Sequence, residues 1–154
     1  MAMETSLVLV KPDGVQRGLI GEVIRRFEAK GLQIVGLKML KAPQSLLEQH
    51  YAVHKERPFF QSLLGFMSSG PVVAIAVRGE GAIAAIRLLV GPTNGAEAAP
   101  GTNRGDFGMS KSFNMVHASD GPDTARYELG LWFPGDESIE WARDDLRWVY
   151  DPDA

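Results

Sequence analysis

The sequence predicts an α+β sandwich, one β-sheet with helices packed against it. Strand-like and helix-like segments follow in the order strand, helix, strand, helices, strand, helix, strand. Residues 7–10, Leu-Val-Leu-Val, form an unbroken apolar run, the pattern of a strand buried on both faces. No repeat, low-complexity tract or linker interrupts the chain, so residues 1–154 read as one domain. Periodicity leaves the strand order open.

The first strand ends at Lys11-Pro12-Asp13-Gly14, a strong turn signal. Ile20, Val23, Ile24 and Phe27 then recur at helical spacing, with Arg25, Arg26 and Glu28 turned away and Gly31 as the stop. Residues 32–41 read as the second strand, Val35, Leu37 and Met39 alternating with Gly36, Lys38 and Leu40. Ser45-Leu46-Leu47-Glu48 has the form of a capping box and predicts a helix to residue 53. After Arg57-Pro58, the stripe of Phe59, Phe60, Leu63, Leu64 and Met67 predicts another helix, closed by Gly70-Pro71. Residues 72–77 are the clearest strand, and residues 82–89 a helix between Gly81 and Gly91. Residues 91–114 hold no periodic segment; so long a loop in a compact domain is usually functional. Met115-Val116-His117 predicts a short last strand, and Asp120 to Pro122 the start of a helix carrying Glu128 and Leu131. The tail is expected to add a short helix at residues 139–142, with Trp141 and Trp148 as anchors.

Composition narrows the functional classes. A hydrophobic fraction of 45% is enough for a real core. The net charge of −3 gives no bulk attraction to nucleic acid or to an anionic membrane, so neither is expected as a partner. Without cysteine there is no disulfide framework and no thiolate metal site. The acidic Glu4 and the short apolar run after it fit neither a signal peptide nor a membrane span, so a cytoplasmic location is expected.

Three histidines are present. His50 and His54 share a helical spacing, but Tyr51 stands where a zincin glutamate would follow, and no third ligand is evident. They read as surface or capping residues, and no protein metal site is expected. His117 lies at the end of a strand, just before a helix start, where unpaired N–H groups favour a phosphoryl group. Neutral imidazole is a good nucleophile near pH 7, and Glu128, eleven residues on, is placed to fix its tautomer. On local sequence alone a buried structural histidine is an equal reading. Lys11, Arg87 and Arg104 are the cations that would surround a polyphosphate if the fold brought them together. Gly105 to Ser112 falls one residue short of a Walker A pattern, with Ser110 for the required glycine, and Arg104-Gly105-Asp106 is read as an incidental tripeptide.

Five motifs in order resemble the nucleoside diphosphate kinase family. They are Lys11-Pro12-Asp13-Gly14-Val15-Gln16-Arg17-Gly18, Arg57-Pro58-Phe59-Phe60, Ser69-Gly70-Pro71-Val72-Val73, Gly101-Thr102-Asn103-Arg104-Gly105-Asp106-Phe107 and Asn114-Met115-Val116-His117-Ala118-Ser119-Asp120. The likeness runs from about residue 5 to residue 150. It implies a ferredoxin-like fold with a four-stranded antiparallel sheet, and γ-phosphate transfer from a nucleoside triphosphate to a diphosphate by ping-pong kinetics through a phosphohistidine. The resemblance makes His117 the nucleophile and Glu128 the residue holding its second ring nitrogen. Lys11, Arg87, Thr93 and Arg104 would bind phosphates, Lys11 also stabilising charge on the transferred group. Asn114 would contact the sugar and Phe59 would stack on the base. Tyr51 would stand beside His117, and Ser119 would bond to Glu128. Mg²⁺ is implied on the nucleotide phosphates, with broad base specificity.

Three positions depart from the family pattern: Ala118 replaces a glycine, Lys111 an apolar residue and Gly95 a proline. The tail Trp148-Val149-Tyr150-Asp151 resembles that of longer members, which favours a homo-hexamer over a tetramer.

Overall fold

The structure is a computed structural model that describes residues 2–153. Strands β1 (Met3–Val10), β2 (Gln33–Leu40), β3 (Val72–Glu80) and β4 (Val116–Ala118) form a four-stranded sheet in the order β2-β3-β1-β4. Every neighbouring pair is antiparallel. Helices α3 (Gln44–His50), α4 (Phe60–Met67) and α7 (Pro122–Trp132) supply the core on one face, and α2 (Ile20–Lys30) and α5 (Ala82–Val90) the core on the other. This is the expected ferredoxin-like α+β arrangement.

Alternation along β1 and β3 divides their side chains between the two cores. Leu7, Leu9, Ala74 and Ala76 pack with Leu47, Leu64, Met67 and Trp132. Val8, Val10, Ile75 and Val77 pack with Val23, Phe27, Ile86 and Val90. Both sets leave water, which is why the sequence of these strands is apolar without a break. Each fully buried Val, Leu or Ile side chain contributes about 1.5–3 kcal/mol.

Several local expectations are corrected. The turn signal at Pro12 is a one-turn helix, α1 (Pro12–Gln16), with Pro12 in the first turn, where its missing N–H leaves no bond unmade. The capping box at Ser45 does not form: Pro43 is the N-cap, the helix starts at Gln44, and Ser45 falls inside the first turn. That helix ends at His50, and Ala52–His54 is a separate 3₁₀ turn. In β2 a bulge between Ile34 and Gly36 shifts the register, so Val35 is buried while Leu37 and Met39 lie 55% and 57% exposed on the edge strand. The long loop is not structureless. It contains a 3₁₀ turn at Gly95–Glu97 and helix α6 (Asn103–Phe107), whose N-cap Thr102 accepts the Gly105 N–H at 2.9 Å. A Cβ on Gly95 would collide with the Gly108 carbonyl, so a glycine is required where the family pattern has proline.

The tail forms no helix at residues 139–142 but runs as a strap over the edge of β2. Ile139 N–H bonds to Val35 O, and the Trp141 indole N–H to Ile34 O. Arg143 donates to the carbonyls of Glu28 and Leu32, and Tyr150 Oη accepts the Glu80 N–H. Trp148 is not an anchor, being 82% exposed. The strap covers carbonyls that an edge strand otherwise offers to other chains.

Asn103 is fully buried, and neither its amide nitrogen nor its oxygen has a partner among the described residues. Leaving such a group unsatisfied costs about 1–3 kcal/mol. Asn103→Leu is expected to raise unfolding stability by about 1–2 kcal/mol in a urea titration, and a lowered midpoint would show that the amide has a partner.

Candidate active site

The site is built where β1 ends beside the start of β4. Met115, just before β4, is fully buried and has φ +58°, the one positive φ outside glycine among the described residues. The Val116 N–H bonds back to Asn114 O at 2.7 Å, closing a γ-turn of the strained hand. Both peptide groups of Met115 are held from the first strand's end. Its N–H goes to Asp13 Oδ2 at 3.0 Å, and its carbonyl accepts the Lys11 N–H at 2.8 Å. Residues 103 positions apart, Lys11 and Asn114, thereby meet: Lys11 Nζ donates to Asn114 Oδ1 at 2.9 Å.

His117 pairs with Leu9 in the sheet and turns its ring to α7. Its Nε2 lies 3.1 and 3.0 Å from the two oxygens of Glu128. Ser119 Oγ, fully buried, donates to Glu128 Oε1 at 2.6 Å. Burial alone raises the Glu128 carboxyl. The hydrogen bond and charge of His117, joined by Ser119 and His50, outweigh it and hold the group below its ordinary value. An ionised Glu128 only accepts, so His117 carries its proton on Nε2 and keeps a lone pair on Nδ1.

A cavity of about 720 Å³ brings together Lys11, Tyr51, Arg87, Thr93, Arg104, Asn114, His117 and Glu128. The three cations that sequence spacing left apart therefore converge. Burial, with the charge of Arg104, pushes the Lys11 ammonium down to about 8, against the pull of Asp13. Burial and then Arg87 push Arg104 to about 10, so it stays charged at neutral pH. Arg104 is 5% exposed and donates to the carbonyls of Gly91, Asn114 and Val116, leaving two of its five N–H groups for a ligand. Arg87, from the last turn of α5, donates to Ala118 O at 3.1 Å. Asn114 spends its amide hydrogens on Thr93 O and Lys111 O, so a lone pair on Oδ1 is what remains for a sugar hydroxyl. Phe59 does not line the cavity; it stands at the rim, 47% exposed, against His54. A second cavity of about 930 Å³ along α5 has a largely apolar wall and, apart from Arg87, no basic group.

Residues 4–138 match the family model described as nucleoside diphosphate kinase. The chain belongs to the nucleoside diphosphate kinase family. A nucleoside diphosphate kinase of Picosynechococcus sp. is 56% identical over 149 residues, covering 97% of this chain and 100% of the relative. One of Archaeoglobus fulgidus is 55% identical over 97% of this chain and 99% of its own. The chain is also similar to the solved nucleoside diphosphate kinase of Halobacterium salinarum, determined with CDP. That likeness has a TM-score of 0.94 at 45% identity, over 97% of this chain and 100% of that one. The activity is accordingly that of a nucleoside diphosphate kinase, phosphate transfer between nucleotides.

The site also contains residues that sequence reasoning places elsewhere. His50 is not on the surface: it is 7% exposed, and its Nδ1 accepts the Trp132 indole N–H at 3.0 Å. The missing signal was Leu47, His50 and Tyr51 at helical spacing, all buried on one face of the helix and its C-cap. A third metal-ligand candidate does exist, since His50, His117 and Glu128 lie within 4.8 Å of one another. The Trp132 bond nevertheless keeps the His50 proton on Nε2, the atom facing Glu128, and removes the lone pair a metal needs. The helix N-terminus is also less anion-friendly than expected. Pro122 has no N–H there, and Asp120 and Asp123 both line the cavity. Ala118 leaves the Ser119–Glu128 bond in place; its methyl is buried in β4 and its carbonyl takes Arg87. Lys111 is exposed and gives its carbonyl to Asn114. The near-Walker segment begins inside α6, with no strand leading into it, and Arg104 of the Arg104-Gly105-Asp106 tripeptide is buried.

Proposed function

We propose that the chain moves the γ-phosphate of a nucleoside triphosphate to a nucleoside diphosphate by ping-pong kinetics, with His117 carrying the phosphoryl group between them. The observation that carries this reading is the clamp of His117 Nε2 by both Glu128 oxygens in a cavity lined by Lys11, Arg87 and Arg104, which leaves Nδ1 as the nucleophile. Phosphoryl transfer asks for positioning and charge stabilisation more than covalent machinery. Arg87, Thr93 and Arg104 hold the phosphates, and Lys11 holds the transferred group. Asn114 meets the sugar, and Phe59 offers its exposed face to the base. Stacking on an aromatic face tolerates every base, which supports broad specificity. Tyr51, whose hydroxyl burial pushes up, stays a neutral phenol beside the imidazoles.

Mg²⁺ fits as a companion of the nucleotide, since it prefers oxygen ligands and substrate phosphates. The clustered protein donors here are imidazole-rich, which suits it poorly. Bound, it would neutralise phosphate charge. No described helix is long and apolar enough to cross a membrane. We read it as a homo-oligomer, a hexamer before a tetramer, which sedimentation distinguishes.

Incubation with γ-labelled ATP tests the mechanism. The folded protein is expected to acquire an acid-labile label that leaves on addition of a nucleoside diphosphate; absence of label defeats the phosphohistidine. Lys11 adds a pH signature. Below about 8 it is cationic and grips phosphate; above, it loses its charge. Nucleotide affinity is expected to fall as pH rises through that value, and binding there to take up a proton. Calorimetry in buffers of different ionisation enthalpy measures the uptake, and a flat affinity from pH 7 to about 9.5 removes Lys11 from phosphate binding.

A further inference from the structure

His50 sets a second imidazole beside the first, with ring centroids 4.8 Å apart and planes at 79°. A phosphoryl donor entering the cavity thus meets two candidate nucleophiles, since both histidines line it. What separates them lies on α7. The indole nitrogen of Trp132 is a donor only, so the His50 Nδ1 that accepts it at 3.0 Å carries no proton. Burial, then the charge of His117, push His50 down to about 3 against the pull of Glu128, so the ring is neutral. Its single proton is on Nε2, which stands 3.7 Å from Glu128 Oε2.

We infer that Trp132 and His50 are positioning residues: the indole locks His50 as the Nε2–H tautomer, which turns its one N–H on the Glu128 carboxylate and confines phosphoryl transfer to His117. With Nδ1 occupied and Nε2 protonated, His50 has no lone pair to attack with. Glu128 is hydrogen-bonded to His117 and Ser119, and the His50 N–H faces its Oε2 at 3.7 Å, within the roughly four acceptor sites of a carboxylate. The 3.7 Å contact is longer than a hydrogen bond in the free enzyme, and catalytic contacts of this kind tighten when substrate binds. Other titratable groups facing His50 are Lys11 at the end of β1, Tyr51 and His54 beyond its own helix, and His117 on β4. The inference rests on His117 being the phosphorylated residue.

Long-range ¹H–¹⁵N NMR of the resting wild-type enzyme reads the tautomer without reference to activity. The expected result is His50 protonated on Nε2 alone; protonation on Nδ1 overturns the inference while leaving the phosphohistidine untouched. Trp132→Phe should release the lock and give a mixture of tautomers, and an unmixed Nε2–H form would remove Trp132 from the role. Single-turnover phosphorylation by ATP supplies the kinetic arm. His50→Leu keeps the volume but deletes the donor, and is expected to slow phosphorylation about tenfold. His50→Gln restores an N–H near Nε2 and should recover most of the loss. A Leu variant with wild-type rate, or a Gln variant no better than Leu, overturns the proposal. Failure of the wild type to form any phosphoenzyme would instead defeat the reading beneath it.

Discussion

His117→Ala is expected to abolish phosphotransfer, lowering kcat by about 10,000-fold or more, the scale of loss when a nucleophile is removed. The ring lies at the cavity wall with 23% of its side chain exposed, so truncation leaves the two apolar cores intact. Nucleotide affinity should change little, because Lys11, Arg87 and Arg104 do not depend on the imidazole for their own hydrogen bonds. Coupled spectrophotometric assay and thermal unfolding on one preparation check both halves. Nucleotide exchange retained by a folded Ala variant would defeat the assignment.

Glu128→Gln should be nearly as severe in turnover, about 1,000-fold, though it changes one atom. Mispairing the partner of a catalytic histidine puts the proton on the wrong nitrogen and has large effects elsewhere. Here Ser119 donates at 2.6 Å, a shorter bond than its alternative to Leu7 O at 3.4 Å, which favours the amide with its oxygen toward Ser119. Its NH₂ group then takes the place of Oε2, 3.0 Å from His117 Nε2, and competes with the retained oxygen at 3.1 Å, favouring the tautomer with its proton on Nδ1, the proposed nucleophile. The rate of phosphoenzyme formation should fall while equilibrium nucleotide binding stays within about threefold, a difference of well under 1 kcal/mol. Unchanged phosphorylation kinetics would take Glu128 out of the mechanism.

Most elements were legible because their signals were local. The double burial of β1 is written in Leu7 to Val10, and α2 ends at Gly31, whose φ of +102° suits glycine. The failures have physical causes. Pro12-Asp13-Gly14 signals a turn, and the one-turn helix there is stabilised by tertiary bonds to Met115 that no window can see. The β2 bulge reversed the exposure of Leu37 and Met39 because one inserted residue flips the faces. At the site, the candidate residues stand out by residue type and by resemblance, but convergence of Lys11, Arg87 and Arg104 depends on strand order, which periodicity does not encode. His50 is not legible as a buried residue because a polar side chain on a buried face needs its partner, Trp132, identified first, and that partner lies 82 residues away.

Met115 bears on the tempo of the cycle. A residue forced to positive φ relaxes if freed, yet its N–H and carbonyl are both tied to the segment that begins with Lys11. Lysine, asparagine and imidazole are thus preassembled as one stiff anvil before any nucleotide arrives. In the proposed exchange, one product can depart and the next substrate settle without refolding the surface they share. The amides of Lys11 and Met115 should accordingly be among the slowest to swap hydrogen for deuterium, with or without nucleotide.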